Sequence, residues 1–506
     1  MKSYPLLLLL CLPCVAAVAV AVAAAASSSP STYDIVFSGG HVMDPETGLD
    51  AIRNVGINGD RVARISTETL AGKRLIDAKG LVLAPGFIDV HQHAQDPESG
   101  RLKAFDGVTT ALEMEIGVPD VAAFLKRKAG RSLINYGTTA SHAAARSRAF
   151  GTPFEEPILV APSGNATDEH ATPEQIERML DRLGSELDAG ALGIGMGIQY
   201  TPGATRLEVI QMFRLAARRG VPVFTHVRSF GRLEPGSSIE AVSEVIGAAA
   251  VSGASLQIAH INSSCIADAP ECLAMVAGAR ARGLDVTTEA YPYIAGFTEI
   301  NSALFNPGWR EKLGLDYDAL RMPDTGERLT EERFKQLHAD PTPKEVLIFM
   351  NTQDMVDKVI ANPLVMIASD GEDGHPRNAG TYSHILAHYV RELGSLSLMD
   401  AIRKMSLMPA ERLEKATAAA RRKGRLQEGA DADIVAFDPR TIADQATYQA
   451  PRRPTLGMKY VLVNGSLLID GGKLVSDTYP GRAVQLDPDK RRTAALPPPA
   501  IRDTSP

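Results

Sequence analysis

The chain has 506 residues, 44% of them hydrophobic and 22% charged, and its formal net charge is −7. This length exceeds one small core and predicts one large domain or two unequal ones, while the composition excludes a disordered chain. The acidic balance lacks the positive surface that nucleic-acid binding requires, so we expect no nucleic-acid partner.

The N-terminus has the form of a secretory signal peptide over residues 1–26. Lys2 precedes an apolar run that becomes rich in alanine and ends in small residues, which favours cleavage over the alternative of a single membrane anchor. Lipid attachment at Cys14 is weakly supported, because Pro13 stands where lipoprotein signals carry a small residue. We therefore expect an exported, periplasmic or secreted protein without stable membrane insertion after cleavage.

Short strands with glycine turns occur near both ends of the chain, in residues 33–84 and again in residues 424–480. The turns at 58–60 and 464–465 have the Asn-Gly dipeptide that joins hairpin strands. The sequence predicts that the two segments together form one small β-sandwich domain.

Residues 85–423 alternate helical and strand patterns. A capped helix begins at Thr172, and from Leu207 to Ala290 helix, glycine and strand follow one another three times. Such alternation predicts parallel strands joined by crossover helices, and hence an α/β fold. An open sheet also fits the alternation. Polar residues at the ends of strands favour a (β/α)8 TIM barrel, because barrel active sites form there.

Three further features are interpreted from their composition. Residues 295–350, which contain the only Trp, are predicted to be an insertion over the barrel mouth, and residues 490–506 a disordered tail. Cys265 and Cys272 remain after the leader is removed, and in an exported protein they can form a disulfide. Two partly buried free thiols fit the sequence equally well.

Four histidines and one aspartate lie at predicted strand ends. His91 and His93, at i and i+2 of a strand, point to the same side and can hold one metal ion. His226 and His260 end later strands and would reach the same barrel mouth, where protonated imidazoles would repel each other and a cation would use every lone pair. Asp370, at the end of a further strand, could then accept the proton of an attacking water. This set predicts a metal-dependent hydrolase.

Segment 85–93, which reads Pro-Gly-Phe-Ile-Asp-Val-His-Gln-His, resembles the metal-binding opening of the amidohydrolase superfamily. The motifs at 107–110, 191–203, 224–228, 291–293 and 369–377 look like those of its N-acyl-D-amino-acid deacylase, or D-aminoacylase-like, branch. The resemblance implies a metal-dependent (β/α)8 barrel with an accompanying β-sandwich. It also implies roles for the residues already singled out, namely metal ligation by His91, His93, His226 and His260 and catalysis by Asp370.

The chain departs from the branch at a metal ligand. The branch usually has Asn-Cys-Gly here, with the thiolate binding metal, whereas this chain has Ile116 at the cysteine position. We favour Glu115 as the replacement, because a carboxylate can bridge two cations, and Glu113 on the same strand face is the alternative. Either could instead be a solvated or ion-paired carboxylate. One or two divalent ions are expected, zinc first, with manganese or cobalt also to be tested because carboxylates suit harder cations.

A second departure concerns the substrate. The branch often places His-Lys at the metal-binding histidine, and the lysine meets the substrate carboxylate, whereas Ile261 and Asn262 follow His260 here. Carboxylate recognition must then come from elsewhere or be absent. The candidates for gripping a carboxylate or the scissile carbonyl are Tyr200, Arg228, Tyr293, Arg377 and His142.

The predicted function is hydrolysis of a linear amide bond, with an N-acyl-D-amino acid as the small-molecule substrate and a free amino acid and a carboxylate as products. A dipeptidase or a cyclic-amide hydrolase on the same barrel is the first alternative. An inactive relative retained as a binding protein is the second, suggested by the missing cysteine. A homo-oligomer is compatible with a large barrel, but no interface is identified.

Overall fold

The computed structural model describes residues 32–152, 164–340 and 342–491. The predicted signal peptide, with Cys11 and Cys14, lies outside these residues, as does segment 492–506 of the predicted tail. Lys490 and Arg491 instead end a short helix, where the carbonyl oxygen of Arg491 accepts a hydrogen bond of 2.8 Å from Nη2 of Arg219. The first two residues of the predicted tail are thus helical, and the prediction for the rest falls outside the described residues.

The strands and helices are numbered in chain order. The strands are β1 Thr32–Asp44, β2 Leu49–Asn58, β3 Arg61–Ser66, β4 Ala71–Asp77, β5 Val82–Pro85, β6 Phe87–Asp89, β7 Val108–Val118, β8 Asn135–Ser141, β9 Ile194–Gly197, β10 Pro222–His226, β11 Ser255–Ile258, β12 Val286–Ala290, β13 Ala295–Glu299, β14 Leu320–Arg321, β15 Glu345–Phe349, β16 Val365–Ile367, β17 Ile434–Phe437, β18 Met458–Val463, β19 Ser466–Asp470 and β20 Lys473–Leu474. The α-helices are α1 Pro97–Phe105, α2 Val121–Lys128, α3 His142–Ala149, α4 Asn165–Asp168, α5 Pro173–Asp188, α6 Arg206–Arg219, α7 Ser238–Ser252, α8 Ile261–Cys265, α9 Ala269–Ala281, α10 Trp309–Leu313, α11 Glu331–His338, α12 Gln353–Ala361, α13 Arg377–His384, α14 Leu398–Ile402, α15 Met408–Leu413 and α16 Pro488–Arg491.

An eight-stranded parallel sheet forms the barrel, in the order β6-β7-β8-β9-β10-β11-β12-β16. Its two edge strands meet just beyond their C-terminal ends, where Gln92 forms a parallel bridge with Gly371. The amide of His93 donates to the Gly371 carbonyl oxygen at 2.9 Å. A Cβ at Gly371 would lie 2.1 Å from Oε1 of Gln92, so the close approach requires glycine. The predicted barrel is confirmed.

Local signals set the ends of the crossover helices. α5 begins at a capping box formed by Thr172 and Gln175, and α7 begins at a second one. α6 and α7 end at Gly220 and Gly253, whose φ angles of 60° and 75° are in the left-handed region. The predicted succession of helix and strand from Leu207 to Ala290 is confirmed. The buried side chains of these helices pack against the barrel strands in one continuous apolar core.

A separate nine-stranded sheet is built from both ends of the chain, in the order β20-β19-β18-β17-β5-β1-β2-β3 with β4 beside β1. β5 joins the two halves, because it pairs in parallel with β1 and antiparallel with β17. Buried side chains of this nine-stranded sheet form an apolar core of their own, which includes Phe37, Val55, Ile57, Ile434 and Leu462. The prediction of an additional β domain from the two termini is confirmed. Among the residues described, no helix has the length and apolar character needed to cross a bilayer.

Between β12 and β16 the chain forms a smaller unit, in which β13, β15 and β14 make an antiparallel sheet. Trp309 packs against Phe305, Tyr317 and Phe334, with ring centroids 5.3–5.7 Å apart. This aromatic cluster gives the unit a core, while Phe297 and Ile348 line a cavity at the barrel mouth. The unit therefore covers part of that mouth.

Cys265 and Cys272 form a disulfide that ties the end of α8 to α9, with their Cα atoms 6.5 Å apart. Both residues are buried. Of the two alternatives that the sequence left open, the structure has the disulfide.

Candidate metal and catalytic site

Four imidazoles converge at the C-terminal ends of the barrel strands. His91 and His93 follow β6, His226 ends β10, and His260 follows β11. The Nε2 atoms of His91 and His93 are 3.1 Å apart, and Nε2 of His260 is 3.0 Å from Nδ1 of His226. The histidines thus form two pairs. All four are buried or nearly so, and buried imidazoles at this spacing need carboxylates or a cation between them.

Glu115 lies between the two pairs and presents one oxygen to each. Its Oε2 is 3.3 Å from Nε2 of His91 and 3.5 Å from Nε2 of His93. Its Oε1 is 3.0 Å from Nδ1 of His226 and 2.8 Å from Nε2 of His260. A carboxylate in this position can bridge two cations, one held by each histidine pair.

Asp370 completes the set on the side of the first pair. Its Oδ1 is 3.2 Å from Nε2 of His91 and 3.3 Å from Nε2 of His93. Three groups of donor atoms could each hold a cation, namely those of His91, His93 and Glu115, of His91, His260 and Asp370, and of Glu115, His226 and His260. Nitrogen and oxygen ligands about 2.1 Å from a tetrahedral cation lie about 3.3 Å from each other, so the observed spacing fits divalent ions such as zinc.

Groups behind the histidines fix the orientation of their rings. Glu113, two residues before Glu115 on β7, contacts Nδ1 of His93 at 2.7 Å, and Glu289 on β12 contacts Nδ1 of His91 at 3.0 Å. Nδ1 of His260 lies 2.8 Å from the hydroxyl of Ser263. These contacts leave Nε2 of His91, His93 and His260 facing the centre, whereas His226 presents Nδ1 to Glu115. Of the two glutamates predicted as ligands, Glu115 reaches the centre and Glu113 supports a ring.

The backbone is strained at two of these positions. His260 has a φ of 26° and Asp370 a φ of 50°, a region that residues other than glycine seldom occupy. Each such residue costs on the order of 1–3 kcal/mol, and strain of this kind collects at functional sites. Here it places both side chains toward the same centre, just past the ends of β11 and β16.

Arg377 determines the charge of Asp370. Burial opposes ionisation of this carboxyl group, but Arg377 and His91 outweigh burial and hold its pKa well below the usual value. Nη1 of Arg377 is 2.9 Å from Oδ2 of Asp370, and the guanidinium stacks on the ring of Tyr291 at 4.8 Å. Asp370 is therefore a carboxylate throughout the neutral range, with one oxygen held by arginine and the other facing the histidines.

The structure brings Tyr200 to the substrate side of the site but not the other predicted binding residues. A cavity of about 380 Å³ opens beside the histidines, and Tyr200 lines it with its ring centroid 4.9 Å from that of His226. Arg228, Tyr293, Arg377 and His142 are not among the described residues that line this cavity.

Each of these four side chains is engaged elsewhere. Arg228 makes a two-pronged ion pair with Glu244 at 2.7 and 2.8 Å, and Arg377 is used by Asp370. His142 is fully buried and contacts Glu208 at 2.8 Å. Tyr293 stacks on His384 with centroids 5.5 Å apart. Each of the four thus has a contact within the fold, and a role of these residues in gripping the substrate stays a prediction.

Glu289 was not predicted. It lies in a run that reads Thr-Thr-Glu-Ala at the end of β12, so the argument that identified Asp370, a carboxylate closing an apolar strand, would also have found it. Tyr291 and Ser263 line the cavity as well. Burial raises the pKa of the Tyr291 phenol to about 12, so this group is a hydrogen-bond donor at neutral pH.

The charge state of the histidines predicts that metal binding depends on pH. Burial disfavours protonation of His91, but Glu115 and Asp370 outweigh burial and hold its pKa well above the usual value; for His93, Glu113 acts in the same direction. A cation must displace these protons, so metal affinity should rise as pH increases from about 5 to 8. Zinc titration calorimetry in buffers of different ionisation enthalpy should show release of at least about one proton per ion. Binding without proton release would contradict this assignment.

An eight-stranded α/β barrel that gathers four imidazoles and two carboxylates at its C-terminal rim has the arrangement of a metal-dependent hydrolase. Residues 74–469, most of the chain, match the Amidohydrolase family, and the chain belongs to that family. The resemblance carried by the sequence motifs is thereby confirmed.

Characterised proteins of similar sequence and structure agree with this membership. The N-acyl-D-glutamate deacylase of Alcaligenes xylosoxydans xylosoxydans is 29% identical over 507 residues, which cover 90% of this chain and 97% of that protein. The crystal structure of N-acyl-D-glutamate deacylase from Bordetella bronchiseptica, complexed with zinc and a phosphonate inhibitor, has a TM-score of 0.75 at 26% identity, covering 90% of this chain and 100% of that one. A structure of D-aminoacylase, from work on its binuclear metal centre, has a TM-score of 0.76 at 26% identity with the same coverage.

Proposed function

We propose that this protein is a metal-dependent deacylase that hydrolyses the amide bond of N-acyl-D-amino acids and releases a free amino acid and a carboxylate. The position of Glu115 between two histidine pairs, with Asp370 beside one of them, carries the proposal. The similarity to deacylases over nine tenths of the chain supports the substrate class.

The residues that would hold metal are His91, His93 and Glu115 at one position, with Asp370 beside them, and His226, His260 and Glu115 at the other. Divalent ions there supply acidification of water and polarisation of the scissile carbonyl. Glu113 and Glu289 hold the rings of His93 and His91 in the required orientation.

Asp370 is the proposed general base. Arg377 keeps it ionised, so its free lone pair can take a proton from the water that attacks the carbonyl carbon. The protonated carboxyl group of Asp370 can then donate this proton to the leaving nitrogen as the amide bond breaks. The hydroxyl of Tyr291 and the ring of Tyr200 face the cavity in which the acyl chain and the amino acid would lie.

A substrate panel tests the proposed function. The zinc-loaded protein is incubated with N-acetyl-D-methionine, N-acetyl-L-methionine, a D-containing dipeptide and a hydantoin, and the release of free amino group is followed. We expect turnover of the D-acyl compound, at least tenfold slower turnover of its L-enantiomer, and loss of activity with a chelator. Faster hydrolysis of the dipeptide or the hydantoin would favour the alternative enzymes. Turnover of no compound by protein with full metal content would favour the inactive binding protein.

We also propose that the protein acts outside the cytoplasm. The apolar run within residues 1–26 supports this compartment, and so does the disulfide between Cys265 and Cys272, because oxidising compartments maintain such bonds. N-terminal sequencing of protein recovered from its native host should find a mature chain that begins near residue 27. An intact N-terminus on protein held in the membrane would indicate the anchor instead.

A further inference from the structure

The cavity beside the histidines has an acidic wall on the unit between β12 and β16. Glu299 at the end of β13 and Glu345 at the start of β15 both line it. The two residues are directly paired across the antiparallel strands. Two ionised carboxylates at opposed positions destabilise such a pair, so both glutamates can be charged at little cost to the fold only when a ligand compensates them.

Two other carboxylates of the cavity have cationic partners. Asp370 pairs with Arg377, and Asp373 pairs with Arg452. Within the described ranges, neither Glu299 nor Glu345 makes an ion pair with a lysine, an arginine or a histidine. Glu299 and Glu345 therefore line the cavity without a cationic partner of their own within these ranges, while Arg127 lines the same cavity.

The raised pKa of Glu345 agrees with the lack of a cationic partner for the acidic wall. Burial, together with the negative charges of Glu372, Asp373 and Glu299, raises its pKa to about 8. Burial also raises the pKa of Glu299. A positively charged group between them would reverse the direction of both shifts.

The cavity is marked as a ligand site on independent grounds. His226, a residue only 6% exposed, lines the cavity, and its buried Nε2 has no hydrogen-bond partner among the described residues. The ring of Tyr200 lies against that histidine, and its hydroxyl is 3.3 Å from Oγ1 of Thr298, the residue before Glu299. One side chain thus connects the catalytic end of the cavity to its acidic wall.

Apolar side chains line the cavity near the two glutamates, among them Phe297, Ile348 and Met350. An alkyl stem can pack on such side chains while its charged end reaches the carboxylates, as lysine and arginine side chains do on protein surfaces. We propose, building on the deacylase function above, that the preferred substrates carry a cationic amino-acid side chain, as in N-acyl-D-lysine, N-acyl-D-ornithine or N-acyl-D-arginine, held by Glu299 and Glu345. Acidic side chains, such as that of N-acyl-D-glutamate, are repelled by the same wall.

The test compares unbranched side chains that differ in charge. kcat/KM is measured for N-acetyl-D-lysine, N-acetyl-D-norleucine and N-acetyl-D-glutamate with the zinc-loaded protein. We expect the lysine compound to exceed the norleucine compound by at least about tenfold, the glutamate compound to be poorest, and the preference for lysine to shrink as salt rises. Equal values for lysine and norleucine, or the highest value for glutamate, would overturn the inference.

Substitution of the two glutamates tests whether they cause the preference for a cationic side chain. In the double variant Glu299→Gln and Glu345→Gln the lysine-to-norleucine ratio of kcat/KM should fall toward one. Glu311→Gln, which removes a charge from an exposed position of the same unit, should keep the ratio of the parent protein. A double variant that loses activity on both compounds in equal proportion would show a structural role and would also overturn the inference.

Measurements of ligand binding test this inference separately from the deacylase function. If norleucine and lysine compounds are hydrolysed at equal rates, the deacylase function stands and the charge preference fails. If no compound is hydrolysed, the charge preference can still be tested by binding calorimetry of N-acetyl-D-lysine and N-acetyl-D-norleucine with the metal-loaded protein. At least tenfold tighter binding of the lysine compound, lost in the double variant, would support the acidic wall, and equal affinity would reject it.

Discussion

Asp370→Asn is expected to lower kcat by about 10³-fold while KM and metal content change little, because removal of a general base costs about 10²–10⁴ in rate. The amide oxygen of asparagine can still face His91 and His93, but it cannot accept the proton of water. Steady-state kinetics on an N-acetyl-D-amino acid and metal analysis of the same preparation measure the two effects.

Asp354→Asn is the control for this variant. Asp354 lies on α12, where it is exposed and paired with Lys358, so the substitution removes the same charge at a distance from the site. Its kcat should match that of the parent protein. An Asp370→Asn protein with near-normal kcat would remove the proposed role of Asp370, whereas one that has also lost its metal would identify Asp370 mainly as a ligand.

Glu115→Gln is expected to have the second large effect, a loss of metal affinity of more than about 100-fold that is accompanied by loss of activity. The neutral amide presents one carbonyl oxygen where the carboxylate presents two, so it can no longer serve both histidine pairs. The measurements are zinc affinity by competition with a chromophoric chelator and the number of ions retained after dialysis. Thermal unfolding of the metal-free protein checks that the variant is folded.

Glu113→Gln provides a matched comparison on the same strand. Glu113 contacts His93 from behind, and removal of such an orienting partner typically costs about 10–100-fold in metal affinity or activity. The loss should therefore be smaller than for Glu115→Gln. The reverse order would make Glu113 the ligand and Glu115 the supporting group, which is the alternative that the sequence left open.

The barrel could be predicted because its signals are local. Several crossover helices begin at a capping residue or end at a glycine, as α5 does at Thr172 and α6 at Gly220, and these signals act on a few neighbouring residues. The convergence of the four histidines could be predicted because strand ends of a parallel sheet meet on one edge, so that residues as distant as His91 and His260 become neighbours. The contacts of Arg228, His142 and Tyr293 could not be predicted from the sequence, because the partner of a side chain depends on packing between distant segments.

By itself the sequence determined the alternation of strand and helix, the set of imidazoles and carboxylates at strand ends, and the two glutamates on β7 in place of the missing thiolate. The tertiary structure decided which glutamate reaches the centre, which arginine is already committed to Asp370, and which walls surround the cavity. The physical reason is the separation along the chain over which each interaction acts. Backbone conformation and side-chain alternation follow from neighbours in the chain, whereas the distance from Glu115 to His226 and the pairing of Glu299 with Glu345 arise only when separate strands are brought together.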